Sequence, residues 1–233
     1  MATYNGASWL PTQLASILPQ LRENDELIVS DDASTDATCS IVSSLHDNRI
    51  RLLPNVVRLG YVGNFQRALR LATGELIFFC DQDDIWAPNK IATIEDAFAA
   101  FPNVDLVHHE FSLIDGMGVA IGRGASAGVG LRKGWGFIVR EFIQSRLWGC
   151  ALCIRARVAQ AMLPFPAEVY GHDHWAFIVA ALGGGVLLLP ESLIQRRLHG
   201  GNVSPSHGFP WSKRIAMRKA YLLMVAHALR RLR

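Results

Sequence analysis

The sequence predicts an α/β fold, a mainly parallel sheet with helices on both faces, and three observations carry that prediction. Short apolar runs of buried-strand type, at 26–30 and 75–80, are separated by segments whose apolar residues recur at helical spacing. Alternation at this interval makes βαβ units, whose crossovers lay helices against a parallel sheet. Both runs also end in acidic clusters, Asp31-Asp32 and Asp81-Gln82-Asp83-Asp84. They stand at the carboxyl ends of strands, where ligands of such sheets bind.

Each element has its own warrant. Residues 7–21 place Leu10, Leu14, Ile17, Leu18 and Leu21 on one helical face. After the strand at 26–30, Ser34 or Thr35 is positioned to cap a helix over 37–45. A second short strand spans 49–53. Gly63-Asn64 opens a helix through Leu71, and Thr73-Gly74 stops it. The strand at 75–80 is the clearest buried run, and Pro88 starts a helix to about residue 101. Beyond it the pattern loosens. Residues 104–110 read as a strand, the glycine-rich 116–136 as a mobile loop over a site, and 136–146 as a helix. A strand at 147–154, a helix at 169–182, a last strand at 186–189 and an edge at 193–198 complete a domain over 1–204. Residues 205–233 form a basic C-terminal helix.

Half of the 233 residues are hydrophobic and 18% are charged, enough for a sizeable core and against disorder. The longest uncharged run, 175–190, is interrupted by Gly183-Gly184-Gly185 and falls short of the ~20 apolar residues that span a bilayer. The first residues carry neither a basic nor an apolar leader region, so the expectation is a cytoplasmic protein without a transmembrane helix. The net charge of +3 hides an asymmetry: seven basic and no acidic residues lie in 211–233, against 16 basic and 20 acidic before them. No basic stripe with interleaved aromatics marks the body, which excludes a nucleic-acid partner. Cys150 and Cys153, three apart on the expected strand, point to opposite faces and read as core residues rather than metal ligands.

Four segments are equipped for chemistry. Asp81-Gln82-Asp83-Asp84 packs three carboxylates, which either bind a hard divalent cation with a phosphate or form a solvated turn with Asp84 as a cap. Asp31-Asp32 either accepts a hydrogen bond from a nucleobase or makes an Asx turn. In Gly171-His172-Asp173-His174-Trp175, Asp173 is either a general base for a hydroxyl or a helix-start residue favoured by the dipole. Gln195-Arg196-Arg197-Leu198-His199, with Gly200-Gly201-Asn202 behind it, either grips a diphosphate or is a solvated loop.

Taken in order, Ala2-Thr3-Tyr4-Asn5-Gly6, the run from Leu27 to Asp36, Gly63-Asn64-Phe65, and the run from Ile77 through Asp81-Gln82-Asp83-Asp84-Ile85-Trp86 to Pro88 resemble the family 2 glycosyltransferases with a GT-A, Rossmann-like fold. Gly171-His172-Asp173-His174-Trp175 and Arg197-Leu198-His199-Gly200-Gly201-Asn202-Val203-Ser204 are similar to a rhamnosyltransferase-like bacterial subgroup. The resemblance implies inverting transfer from a nucleoside-diphosphate sugar, UDP- or dTDP-linked, to a glycan or lipid-linked glycan in cell-surface polysaccharide or lipopolysaccharide synthesis. By position, Thr3 and Asp32 would contact the nucleobase, with Asp31, Asn64 and Arg197 in the same nucleotide-sugar set. Asp81 would lie near the ribose, Asp83 and His199 would hold Mg²⁺ or Mn²⁺, and Asp173 would be the base. Trp148 and Trp175 either stack on a sugar or pack in the core.

Members of that family begin with a hydrophobic strand ahead of the Ala-Thr-Tyr-Asn-Gly segment, and here Met1 stands at that strand's end. The expectation is therefore that the first strand is missing. That keeps a truncated, non-catalytic remnant or assembly factor as the rival reading. A sugar nucleotidyltransferase trails, because no Gly-rich phosphate loop follows the first strand. The helix over 211–233 either packs on the domain or lies at an anionic membrane surface, the inner face of the plasma membrane.

Overall fold

The computed structural model describes residues 1–144, 146–202 and 210–232. Its first half follows the predicted alternation. Strand β1 (Ala2–Thr3) pairs in parallel with β2 (Leu27–Asp31), and β2 pairs in parallel with β3 (Ile50–Pro54). Helix α1 (Leu10–Ile17) connects β1 to β2, with Pro11 in its first turn and Leu10, Leu14 and Ile17 buried. Helix α2 (Thr38–Ser44) follows β2. Its first turn is held by Asp36, whose Oδ1 accepts the Thr38 N–H at 3.0 Å. Ser34 and Thr35, the expected caps, bond Asn5 instead.

Helix α3 (Gly60–Leu71) begins three residues before Gly63. Its cap comes from the residue that follows β2: the Leu59 and Gly60 N–H groups donate to the Asp32 carboxylate at 2.6 and 3.0 Å. A capping partner 27 residues upstream leaves no local signal. Then come β4 (Leu76–Phe78), β5 (Ile85–Trp86) and α4 (Lys90–Ala100).

The second half departs from a mainly parallel sheet. Strand β6 (Leu106–Ile114) pairs in parallel with β10 (Val186–Arg197), while β9 (Leu152–Arg155) runs antiparallel to both β4 and β6. The sheet is mixed, in the order β4-β9-β6-β10-β5. Residues 116–136 are not a loop throughout. They contribute β7 (Ala120–Arg123) on β6 and β8 (Gly130–Arg132) on β10. The turn into β7 uses Gly118 at φ +86°, a conformation only glycine takes without strain. Residues 186–198 were read as a strand and a separate edge, yet β10 is one central strand whose register slips around Pro190. Proline offers no N–H to the ladder there.

Helices α5 (Gly134–Ile143), α6 (Ala156–Met162), α7 (His172–Leu182) and α8 (Trp211–Arg231) complete the fold; α6 has no counterpart in the sequence reading. Alternation along the strands divides the core. Leu106, Leu152, Ile154, Val186 and Leu188 pack toward α5–α8, and their neighbours Val107, Cys153 and Leu187 pack toward α4. Trp175 is fully buried in the first cluster, with its indole N–H on the Met162 carbonyl at 3.0 Å, so it is a core residue. No described helix is long and apolar enough to cross a membrane.

Beside Met1 the sheet is interrupted. The Met1 ammonium donates to Ile28 O at 2.7 Å and the Ala2 N–H to Cys80 O at 3.2 Å, so this short stretch bridges β2 and the chain leaving β4. Next to it a cavity of about 310 Å³ separates β2 from β4, lined by Leu27, Ile28, Leu76, Phe78 and Leu69.

Candidate active site

A cleft of about 470 Å³ opens where the carboxyl ends of β1, β2 and β4 meet the start of α7. It brings together most of the residues singled out from the sequence. Thr3, Asp32, Asn64, Asp81, Asp83 and Asp173 line it, with Gly201 and Asn202 on its rim.

At the end formed by β1, β2 and α3, several of these groups are already engaged. Asp31 does not line the cleft: its carboxylate accepts the Thr3 hydroxyl at 2.8 Å and the Ser34 hydroxyl and N–H at 2.6 and 2.8 Å. It braces the turn after β2. Asn64 is buried and ties α3 to β2, giving its Nδ2–H to Ser30 O at 2.7 Å and accepting the Ser30 hydroxyl at 2.6 Å. Asp32 holds the start of α3. The wall here includes two residues the sequence reading missed: the Arg58 guanidinium lies 3.6 Å from the centre of the Tyr4 ring. A lone Tyr and a lone Arg in separate loops carry no motif.

The acidic cluster occupies the middle. Burial, then the charges of Asp84 and Asp83, push the Asp81 carboxyl well above its ordinary value, and the charge of Asp173 adds to the push. Burial and Asp83 raise Asp84 to about 7. Its Oδ1 accepts the Arg197 N–H at 3.1 Å, while its buried Oδ2 has no partner among the described residues. Like charges crowded out of water with an orphaned oxygen are what a divalent cation relieves. His199 Nε2 lies 2.8 Å from Asp83 Oδ2, so the expected pair of ligands is together, and the donor set of carboxylates plus one imidazole fits Mg²⁺ or Mn²⁺. The Cys150 thiol shares a cluster with Asp81 and Asp84, but burial raises it well above its ordinary value. A protonated thiol is a poor ligand for a hard ion. Behind the cluster, Lys90 is buried with its ammonium donating to Cys150 O at 3.2 Å.

Of the two arginines after Gln195, the sequence pointed to Arg197 for the nucleotide sugar, and the fold turns Arg196 toward the cleft instead. Arg197 is buried as a strut, donating from Nε to Asp83 O at 3.0 Å and from Nη1 to Asp115 O and Gly116 O. Arg196 points the other way, into the cleft, over the Trp148 ring at 4.4 Å. Strand alternation along β10 explains the difference and was a usable signal.

Asp173 stands in the first turn of α7 and accepts the His174 N–H at Oδ1, 2.8 Å away. Burial works to raise its pKa, but the neighbouring imidazoles and that N–H together hold it below the ordinary carboxylate value. It is therefore an ionised base at neutral pH. Gly171 makes room for it, because a Cβ there would sit 2.5 Å from Asp173 Oδ1. His172 is buried between Phe65 and Phe79, with ring centres 3.9 and 5.0 Å away, and neither ring nitrogen has a partner among the described residues. Burial drives it down to about 4, so it is neutral.

An α/β fold with a crowded acidic cluster and an ionised carboxylate across one cleft is consistent with sugar-nucleotide chemistry. Residues 1–158 match the model of glycosyl transferase family 2, and the chain belongs to that family of glycosyltransferases. It is 26% identical over 96% of its length to an uncharacterized glycosyltransferase of Nostoc, of which it covers 71%. It is 40% identical to the dTDP-rhamnosyl transferase RfbG of Shigella flexneri over 41% of this chain and 36% of that one. It is 34% identical to the Escherichia coli UDP-Glc:alpha-D-GlcNAc-diphosphoundecaprenol beta-1,3-glucosyltransferase WfgD over 49% of this chain and 45% of that one. These two matches thus span less than half of each relative. The fold superposes on S. aureus TarS 1–349, solved with UDP-GlcNAc, at a TM-score of 0.70 over 99% of this chain and 70% of that one, with 17% identity.

Proposed function

We propose that the protein is a metal-dependent, inverting glycosyltransferase that moves a sugar from a UDP- or dTDP-linked donor to a hydroxyl of a glycan or lipid-linked glycan in polysaccharide or lipopolysaccharide synthesis. The observation that carries this reading is the meeting, in one cleft, of an ionised Asp173 with Asp81, Asp83 and Asp84, with His199 bonded to Asp83 from behind the lining.

The base of the donor is taken up at the Thr3, Asp32 and Arg58 end, where Tyr4 offers a ring face. Asp83 and His199 would hold Mg²⁺ or Mn²⁺ with Asp81 beside them, and that ion supplies positive charge against a departing diphosphate. Arg196 adds a guanidinium on the same side. Asp173 takes the proton of the acceptor hydroxyl at a carboxylate oxygen, on the face opposite the diphosphate. One in-line displacement from that face inverts the anomeric centre. Residues 1–204 carry the chemistry, and the basic helix α8 (Trp211–Arg231) touches the membrane surface on which a lipid-linked acceptor resides.

Asp173→Asn tests the assignment, since it keeps the shape of the side chain and removes the base. Turnover of the donor falls by roughly 10²–10⁴, the usual worth of a general base, while nucleotide affinity is retained. Equal turnover in wild type and variant would remove Asp173 from the reaction.

A further inference from the structure

Helices α5 and α8 meet at the protein surface, and each leaves an apolar stripe outside. On α5, Trp135, Val139 and Ile143 recur every four residues and are each at least half exposed, while Phe137, Ile138 and Glu141 turn inward. On α8, Trp211, Ile215 and Leu222 share one face and are likewise more than half exposed. The two stripes are neighbours. Arg218 Nη2 donates to Ile143 O at 3.0 Å with its guanidinium over the Phe142 ring, and Tyr221 donates to Ile138 O at 3.2 Å. The patch they make is wider than the scattered apolar residues normal on a surface.

Charge on the same helices says what covers it. Helix α8 has six basic residues and no acidic one. The single carboxylate on α5, Glu141, is buried and bonded to Arg140 at 3.2 Å. Lys133 and Arg146 flank α5 and are exposed. An apolar stripe with indoles at its ends and basic side chains around it matches the interface of an anionic bilayer, where rings sink to headgroup depth and cations reach the phosphates. A second protein of this kind would bring its own positive charge against this one.

We infer that α5 and α8 together form one membrane-docking face for anionic lipid, and that this face sets the cleft beside the bilayer. Met217 lies on the side of α8 opposite the Trp211–Ile215 stripe and lines the cleft near Asp173. The helix that seats on lipid with one face therefore walls the acceptor end of the cleft with the other. A lipid-linked acceptor reaches Asp173 without leaving its membrane. The docking face stands on exposure and charge alone; only this last consequence rests on the glycosyltransferase reading. The new element is α5, because the basic composition of 211–233 by itself points only to α8.

The test is co-sedimentation of the full chain with phosphatidylglycerol/phosphatidylcholine vesicles and with pure phosphatidylcholine vesicles. The triple variant Trp135→Ser/Val139→Ser/Ile143→Ser weakens binding to the anionic vesicles roughly tenfold, the scale for removing three part-inserted apolar side chains. Arg214→Glu/Lys219→Glu weakens it by a similar factor, and high salt abolishes the remainder. Phe101→Ser, at an exposed apolar position on the C-terminal end of α4, leaves it unchanged. Val139→Glu is a single-site check should the triple variant melt early. Turnover with a soluble acceptor stays at the wild-type level in all of them, so lost transferase activity with intact vesicle binding would count against the enzyme reading and not this one. Unchanged vesicle binding by the α5 triple variant and by Val139→Glu would overturn the inference. So would a concentration-dependent dimer that the same substitutions abolish, which would assign the face to a second copy.

Discussion

Lowering the pH from 7 to 5 places a calculable load on this fold through two buried imidazoles. Burial drives His172 down to about 4, despite the pull of Asp173, and drives His108 down to about 3. In the unfolded chain both titrate at about 6.5. The unfolded state therefore takes up protons as the pH falls through 6.5, while the folded state takes up none until near 4. Stability from these groups is fully present above about 6.5 and is lost progressively as the pH drops toward 4. At pH 5 the loss is about 2 kcal/mol for each histidine. Two such losses are a large part of the 5–15 kcal/mol that typically holds a domain.

Asp81 and Asp84, raised by burial and mutual repulsion, act in the opposite sense, because protonating them favours the folded state. The informative quantity is therefore the difference between wild type and His172→Leu. The variant loses ring packing against Phe65 and Phe79 at every pH but no hydrogen bond, since both ring nitrogens lack partners. Scanning calorimetry from pH 7 to 5 should show a fall in Tm smaller by about 4–8 °C in the variant, the shift that 2 kcal/mol makes in a domain of this size. An identical fall in both proteins would refute the assignment of His172 as a neutral, desolvated group.

Two further outcomes separate neighbouring roles. Arg196→Ala, whose side chain enters the cleft, raises KM for the donor with little change in Tm. Arg197→Ala removes the guanidinium from the carbonyls of Asp83, Asp115 and Gly116, of which Asp115 keeps the Gly118 N–H, and lowers Tm by several degrees, the scale of a lost buried network. The cavity between β2 and β4 predicts that a chain lengthened ahead of Met1 by a short run of β-branched residues melts higher than the 233-residue chain. The added strand has two facing backbones to pair with and apolar walls to cover. Equal melting temperatures would show that the slot does not receive a strand.

What the sequence disclosed depended on whether the deciding partner was local. Strand β2, the strand before the acidic cluster and α4 were legible, because apolar runs and a flanking proline lie within a few residues of one another. The pairing of Asp83 with His199 was also within reach, through the ordered motifs rather than through spacing. The start of α3 was not, because its cap is the Asp32 side chain, 27 residues upstream in the turn after β2. Strand β10 was divided in two at Pro190, where a local break is bridged by neighbours on both sides. The glycine-rich 116–136 looked structureless because edge strands β7 and β8 owe their order to β6 and β10 rather than to their own residues. Asp31 and Arg197 were placed in the ligand site from motif position. In the fold, the hydroxyls of Thr3 and Ser34 occupy one, and three backbone carbonyls occupy the other.

If the proposal holds, the acidic cluster becomes a donor site when a cation joins Asp83 and His199. A thermal-shift comparison of UDP and dTDP, each with and without Mn²⁺, on wild type and Asp83→Ala tests it most directly. A ligand at 100 times its Kd adds about 2.7 kcal/mol to stability, a readily measured rise in Tm. The expected result is a rise with one nucleotide that needs Mn²⁺ and disappears in Asp83→Ala. A rise of the same size without the ion, or one that survives in Asp83→Ala, would contradict it.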